Sequence, residues 1–228
     1  MCSRRTFLKL VYQFFPEMYP WVYLIYGGKA PILVWGDFLL ASECGSQQGD
    51  PLGPLLFSLV LKELVLHILE VADLSINVWY CDDGTLMGTP RDLMKAWEVI
   101  VTRGPALGLY VRANKCLRFW LNLGSGLAIG VDADIPKPQD MDAHVFAEWC
   151  LIPVSETGMA VLGAPLPVCG AEFVDEYLNK KVFGPLKSGV HRVCEVLRDE
   201  PQVALHILRG AVGLPKLRHV LGTVPPSM

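Results

Sequence analysis

The amino-acid sequence predicts an α+β chain in which a small antiparallel sheet carries packed helices and a helical subdomain follows. Three observations lead there. Apolar residues recur every three to four positions over 3–15, the period of a helix with a face on a core, and 54–69 and 90–107 carry proline starts and helical lengths. Runs rich in Val, Ile, Trp and Tyr flank glycines over 21–43 and 76–88, as strands joined by tight turns do. From about 171 to 219 the pattern turns helical again and more basic.

Taken in order, Ser3 is placed to cap a helix over 3–15, with Phe7, Leu10, Val11 and Phe14 on one face and Pro16 and Pro20 ending it. "WVYLIY" and "PILVWGDFLLAS", separated by Gly27 and Gly28, read as two strands of a hairpin. "CGSQQGDPLGP" over 44–54 is a loop. Pro54, tolerated in a first turn, opens a helix to about Leu69 that is apolar nearly all round, as a core helix is. "NVWYCDDGTLMG" predicts a hairpin on its Asp-Gly pair, with Asp82 at or just inside a strand. Thr89 and Pro90 start a helix that reaches toward Gly108. Residues 107–123 read as strand, turn, strand, and 159–166 as a short strand and turn. Residues 132–148 hold Asp132, Asp134, Asp140, Asp142 and Glu148 against Lys137, and read as a solvated acidic insertion. The C-terminal helices should break near Gly184-Pro185 and Gly213–Pro215.

Of the 228 residues 52% are hydrophobic, yet no stretch reaches the ~18 uncharged apolar residues of a membrane span. "PLLFSLVLKELVLHIL" is broken by Lys62, Glu63 and His67. The basic N-terminus lacks a small-residue cleavage site, so an intracellular protein, in cytoplasm or nucleus, is expected. Seven cysteines without a CxxC pair suit reduced thiols better than disulfides or zinc. The five histidines show no ligand spacing. A net charge of −3 runs against a free-standing nucleic-acid binder.

Two segments carry candidate chemistry. Asp82 and Asp83 are adjacent like charges, which a divalent cation would compensate. The calcium-loop pattern is absent around them, so the fitting cation is one held by one or two carboxylates plus phosphates, as magnesium is. Gln47, Gln48 and Gly49 are an unusual choice for a plain turn: glycine allows close approach and the amides offer donors and acceptors, a plausible wall for a flat base pair. Separately, each segment has a plain reading, as an acidic hairpin tip and as a cap on a buried helix.

Together, "QGDPLGPLLF" followed by "YCDD" in a hairpin resembles the palm of reverse transcriptases, those of non-LTR retrotransposons above all. "GLYVRANKCLRFW" is similar to the family's next, lysine-bearing motif, and "VLGAPL" to the element that leads into the thumb. The resemblance implies a palm over 1–168 and a helical thumb or connection over 169–228. It implies RNA-directed DNA polymerisation, with RNA template, DNA primer and deoxynucleoside triphosphates as partners and Mg2+, or Mn2+, as cofactor. Asp82 would be the principal metal ligand and Asp83 a weaker one; Tyr80 and Cys81 would lie under the primer end. Gln48, Gly49 and Pro51 would line the site where nucleotide pairs with template, and Lys115 would screen or protonate the leaving pyrophosphate. Lys180, Lys181, Lys187, Arg192, Arg198 and Arg209 would suit a thumb helix touching the duplex.

The sequence departs from that pattern in three places. The family's third carboxylate lies on a strand well before the QG loop, whereas here 47 residues precede Gln48 and begin in the following helix. Asp37, in "VWGDFLL", falls at an expected turn rather than at the missing ligand's place, and Gly53 stands where many relatives have serine. The basic fingers are likewise missing, in keeping with the acidic charge. The expectation is an N-terminally truncated polymerase domain without activity of its own; the alternative is an inactive remnant that binds nucleic acid or protein.

Overall fold

The computed structural model describes residues 2–28, 32–47, 49–122, 127–129, 139, 141–155, 157–166 and 170–208. Gln48, the acidic residues Asp132, Asp134 and Asp140, Lys137, Cys169, Arg209 and the expected break at Gly213–Pro215 lie outside them. The chain is α+β and divides into two compact units, Met1–Lys115 with Ile135–Ile152, and Cys116–Asp134 with Pro153–Met228. Among the described residues the strands pair as four separate two-stranded antiparallel hairpins.

In the first unit, α1 (Arg4–Phe14) starts where Ser3 caps it, its hydroxyl accepting from the Thr6 N–H. Phe7, Leu10 and Val11 are its buried stripe. The run expected as a first strand is instead a helix, α2 (Tyr19–Tyr26). Short apolar runs do not declare their period. Pro20 in the first turn and a terminal bond from the Gly27 N–H to the Tyr23 carbonyl favour the helix, and burial of Val22 and Tyr26, four apart on one face, secures it. The hairpin of that region is β1 (Ile32–Trp35) with β2 (Phe38–Ala41), and Asp37 lies in its turn as expected.

Helix α3 (Gly53–Val71) is the unit's spine. Leu56, Leu59 and Val60 join Phe7, Leu10, Val11, Val22 and Tyr26 in one cluster. Leu61, Leu64 and Ile68 join Ala96, Val99 and Ile100 of α4 (Pro90–Arg103) in a second. Although apolar nearly all round, α3 is not a fully buried helix: Leu55, Leu66 and Leu69 are exposed. Thr89 caps α4, accepting from the Asp92 N–H, and a 3₁₀ turn (Pro105–Leu107) carries the chain to Gly108, which has φ +76°.

Two other expectations fail here. No strand forms over 107–119; Lys115 closes a second 3₁₀ turn (Ala113–Lys115), held by its N–H on the Arg112 carbonyl. The acidic stretch is not loop throughout, since Ala143–Cys150 is a helix, α5, capped by Asp142. Its Val145 and Trp149 are buried, and Trp149 meets Trp97 of α4 edge-on at 6.4 Å. An aromatic pair of this kind adds about 1 kcal/mol to its area burial, enough to hold a short helix that its acidic neighbours disguise.

The second unit holds β5 (Trp120–Asn122) with β6 (Leu127–Ile129), and the expected short hairpin β7 (Ala160–Val161) with β8 (Ala164–Pro165). Its helices are α6 (Ala171–Leu178), α7 (Gly184–Val196) and α8 (Pro201–Ile207). The predicted break at Gly184-Pro185 does not occur. A π-helical turn (Asn179–Phe183) joins α6 to α7, with the Gly184 N–H on the Asn179 carbonyl. The wider turn carries the chain past a proline that lacks a donor and would clash in a regular helix. Among the described residues no helix is long and apolar enough to cross a membrane.

Candidate functional site

The hairpin of β3 (Leu74–Tyr80) and β4 (Asp83–Gly88) carries the paired aspartates. Its turn is not on Asp83-Gly84. Tyr80 pairs with Asp83 and Trp79 with Gly84, so the two turn residues are Cys81 and Asp82. Asp82 therefore lies in the turn and not in a strand. Trp79 explains the register. Its ring packs over Gly84, where a Cβ would come within 2.5 Å of Cε3, and its indole N–H donates to the Asn77 Oδ1 at 2.7 Å. The glycine of the motif is a strand glycine under a tryptophan. The turn's strain falls on Cys81 instead, at φ +52°. A left-handed first turn residue is what a II′ hairpin requires, and a side chain there costs on the order of 1 kcal/mol.

Directly opposed residues share a sheet face. Asn77 with Leu86 and Trp79 with Gly84 form one face, with Trp79 and Leu86 packed on the α3–α4 cluster. Tyr80 with Asp83, Val78 with Thr85, and Ile76 with Met87 form the other. That face is open to solvent: Val78 is 58% and Tyr80 67% exposed. The tip thus presents two exposed carboxylates, an exposed tyrosine and an exposed thiol beside an apolar surface.

The QG loop is built from below. The Tyr26 hydroxyl donates to Asp50 Oδ2 and accepts from the Gln47 N–H at 3.0 Å. Asp50 Oδ1 accepts from the Leu52 N–H at 2.9 Å, an Asx turn that leads into α3. Arg4 stacks on the Tyr26 ring at 5.3 Å and donates to the Gly45 carbonyl and the Ser42 hydroxyl, each at 2.9 Å. Burial and the Asp50 contact push the Tyr26 hydroxyl pKa above its ordinary value. Gly49 has φ +90°, and a Cβ on it would meet nothing within 4 Å, so its backbone is open on the outer side. Pro51 is exposed. Gly53 is buried, and a Cβ there would lie 3.1 Å from the Ser46 hydroxyl oxygen, a close contact to which Ser46 would have to yield.

The sequence did not point to Tyr26, Asp50 or Arg4. The Asx turn at Asp50 was readable from Gly-Asp-Pro, but Tyr26 lay in a run taken for a strand. Lys115 is exposed in its own 3₁₀ turn within the same unit. Among the described residues no group of three or more His, Cys, Asp or Glu side chains could hold a metal ion. A single divalent cation bound at Asp82 and Asp83 would need further oxygens, such as those of phosphates, and a pair of ions would need a further carboxylate. No family model, curated protein or solved structure matches the chain.

Proposed function

We propose that residues 1–168 are the palm of a reverse transcriptase of the non-LTR type, and that 169–228 contributes a thumb-like element. The single observation that carries this reading is the YCDD hairpin. Its turn falls on Cys81-Asp82, Tyr80 stands directly across from Asp83, and both are on the solvent-open face. A tip of this form, reached from a glycine-bearing loop through helix α3, suits a site where a primer end meets a metal-bound triphosphate. Asp82 and Asp83 would hold Mg2+ or Mn2+, which would neutralise phosphate charge there. Tyr80 would support the primer end, Gly49 would admit a base pair at close range, and Lys115 would sit toward the pyrophosphate.

A second reading rests on the two carboxylates at the tip. With a single cation site the chain binds nucleic acid or another protein without extending a primer, and a further strand bearing an acidic residue would be needed for polymerisation. The β3–β4 hairpin supports that need. Its face away from the α3–α4 cluster, with Ile76, Val78 and Tyr80 exposed, is one that a third element would cover.

The test is manganese binding followed by electron paramagnetic resonance. Weak binding by the wild type that Asp82→Ala abolishes is the expected result. Equal binding by both proteins would remove Asp82 as a ligand and the palm reading with it. Primer extension by the chain alone is expected to be undetectable.

A further inference from the structure

We propose that Tyr26 and Asp50 are positioning residues for template binding and act through the turn that carries Gly49. The inference rests on the palm reading and adds to it a device that no motif contains. One oxygen, the Tyr26 hydroxyl, ties the two ends of the turn together, accepting from the Gln47 N–H and donating to the Asp50 carboxylate. The backbone closes the same turn, with the Asp50 N–H on the Gln47 carbonyl at 3.1 Å and the Gly53 N–H on the Asp50 carbonyl at 3.0 Å.

The tyrosine is itself fixed. It is 4% exposed, with Phe7 edge-on at 5.2 Å and the Arg4 guanidinium over its ring. Arg4 extends the hold to Gly45 and Ser42. Gly49 is exposed, and a Cβ on it would meet nothing among the described residues within 4 Å. A turn so firmly held, with an exposed and uncovered glycine, is prepared to receive a surface from outside. Preorganisation of this kind raises affinity by removing the ordering cost at binding.

The experiment uses the full chain and an RNA template annealed to a DNA primer, with 2-aminopurine at the first unpaired template base, at low salt. Its fluorescence reports the base nearest the primer end. Wild type should bind and change that fluorescence. Tyr26→Phe, which keeps the ring and removes the hydroxyl, should weaken binding about five- to tenfold. Asp50→Asn should do likewise, and the double variant should be no weaker than either, since the two act as one device. Ile68→Val, in the separate α3–α4 cluster, serves as the control for stability: it should lower the unfolding midpoint and leave binding unchanged. Wild-type affinity in Tyr26→Phe would overturn the clamp and leave the palm reading standing. An equal loss of binding in Ile68→Val would overturn it too, by reducing Tyr26 to a structural part. No binding by the wild type would overturn the palm reading, and the clamp with it.

Discussion

Replacing Gly84 by alanine should destabilise the YCDD hairpin, although alanine is ordinarily the better strand residue. Without a neighbour in the way, the change would stabilise a strand by ~0.5–1 kcal/mol through reduced backbone entropy of the unfolded chain. Trp79 reverses the sign. The new Cβ would lie 2.5 Å from Cε3, against an ordinary carbon contact of about 3.5–4.0 Å, so the ring must retreat by roughly 1–1.5 Å. The indole N–H is held to Asn77 at 2.7 Å, and a movement of that size breaks the bond, at about 1 kcal/mol. Overpacking where the ring meets the α3–α4 cluster adds ~1–3 kcal/mol. The net cost is about 2 kcal/mol. Native-state hydrogen exchange of the β3–β4 amides reads this locally, independently of the rest of the chain. In a Trp79→Val background the same substitution should be neutral or stabilise by about 0.5 kcal/mol. A loss below ~0.5 kcal/mol in the wild type, or an equal loss in both backgrounds, would refute the account of the turn register.

Four further outcomes follow from the packing and the titrating groups. Ile68→Ala, at a fully buried position of α3, should cost ~2–5 kcal/mol in urea unfolding of the first unit, whereas Leu69→Ala, exposed beside it, should cost less than about 1 kcal/mol. With a thiol-reactive dye at neutral pH, Cys44, Cys81, Cys150 and Cys194 should react quickly; Cys2 and Cys116 should lag, because burial raises their thiol pKa and starves them of thiolate. Thr89→Ala should cost about 1 kcal/mol as a lost helix cap. Hydrogen bonds from the Thr89 hydroxyl and then Lys95 hold the Asp92 pKa below its ordinary value, so its contribution is fully present above that value and is lost as pH falls through the depressed one. Asp92→Asn should therefore flatten the acid limb of the stability profile below about pH 4, measured by thermal unfolding.

The sequence by itself determined what short-range chemistry decides. The cap at Ser3, the stripe of α1, the starts of α3 and α4 at their prolines and the existence of a hairpin around YCDD were all legible, because each depends on neighbours within a few residues; the helix expected to reach Gly108 ends at Arg103 and gives way to a 3₁₀ turn. The pairing of a Gln-Gly loop with a Tyr-x-Asp-Asp hairpin was legible for the same reason. Tertiary structure decided the rest. "WVYLIY" has no period of its own and became a helix once Val22 and Tyr26 found Phe7 and Leu56. The hairpin turn fell on Cys81-Asp82 because Trp79 covers Gly84, a cross-strand contact that an Asp-Gly pair in the sequence conceals. Helix α5 hid in an acidic stretch because its anchor, Trp97, lies on α4. Tyr26 reaches Asp50 across 24 residues, and a hydrogen bond between such distant positions exists only after α1, α2 and α3 have packed and buried the tyrosine.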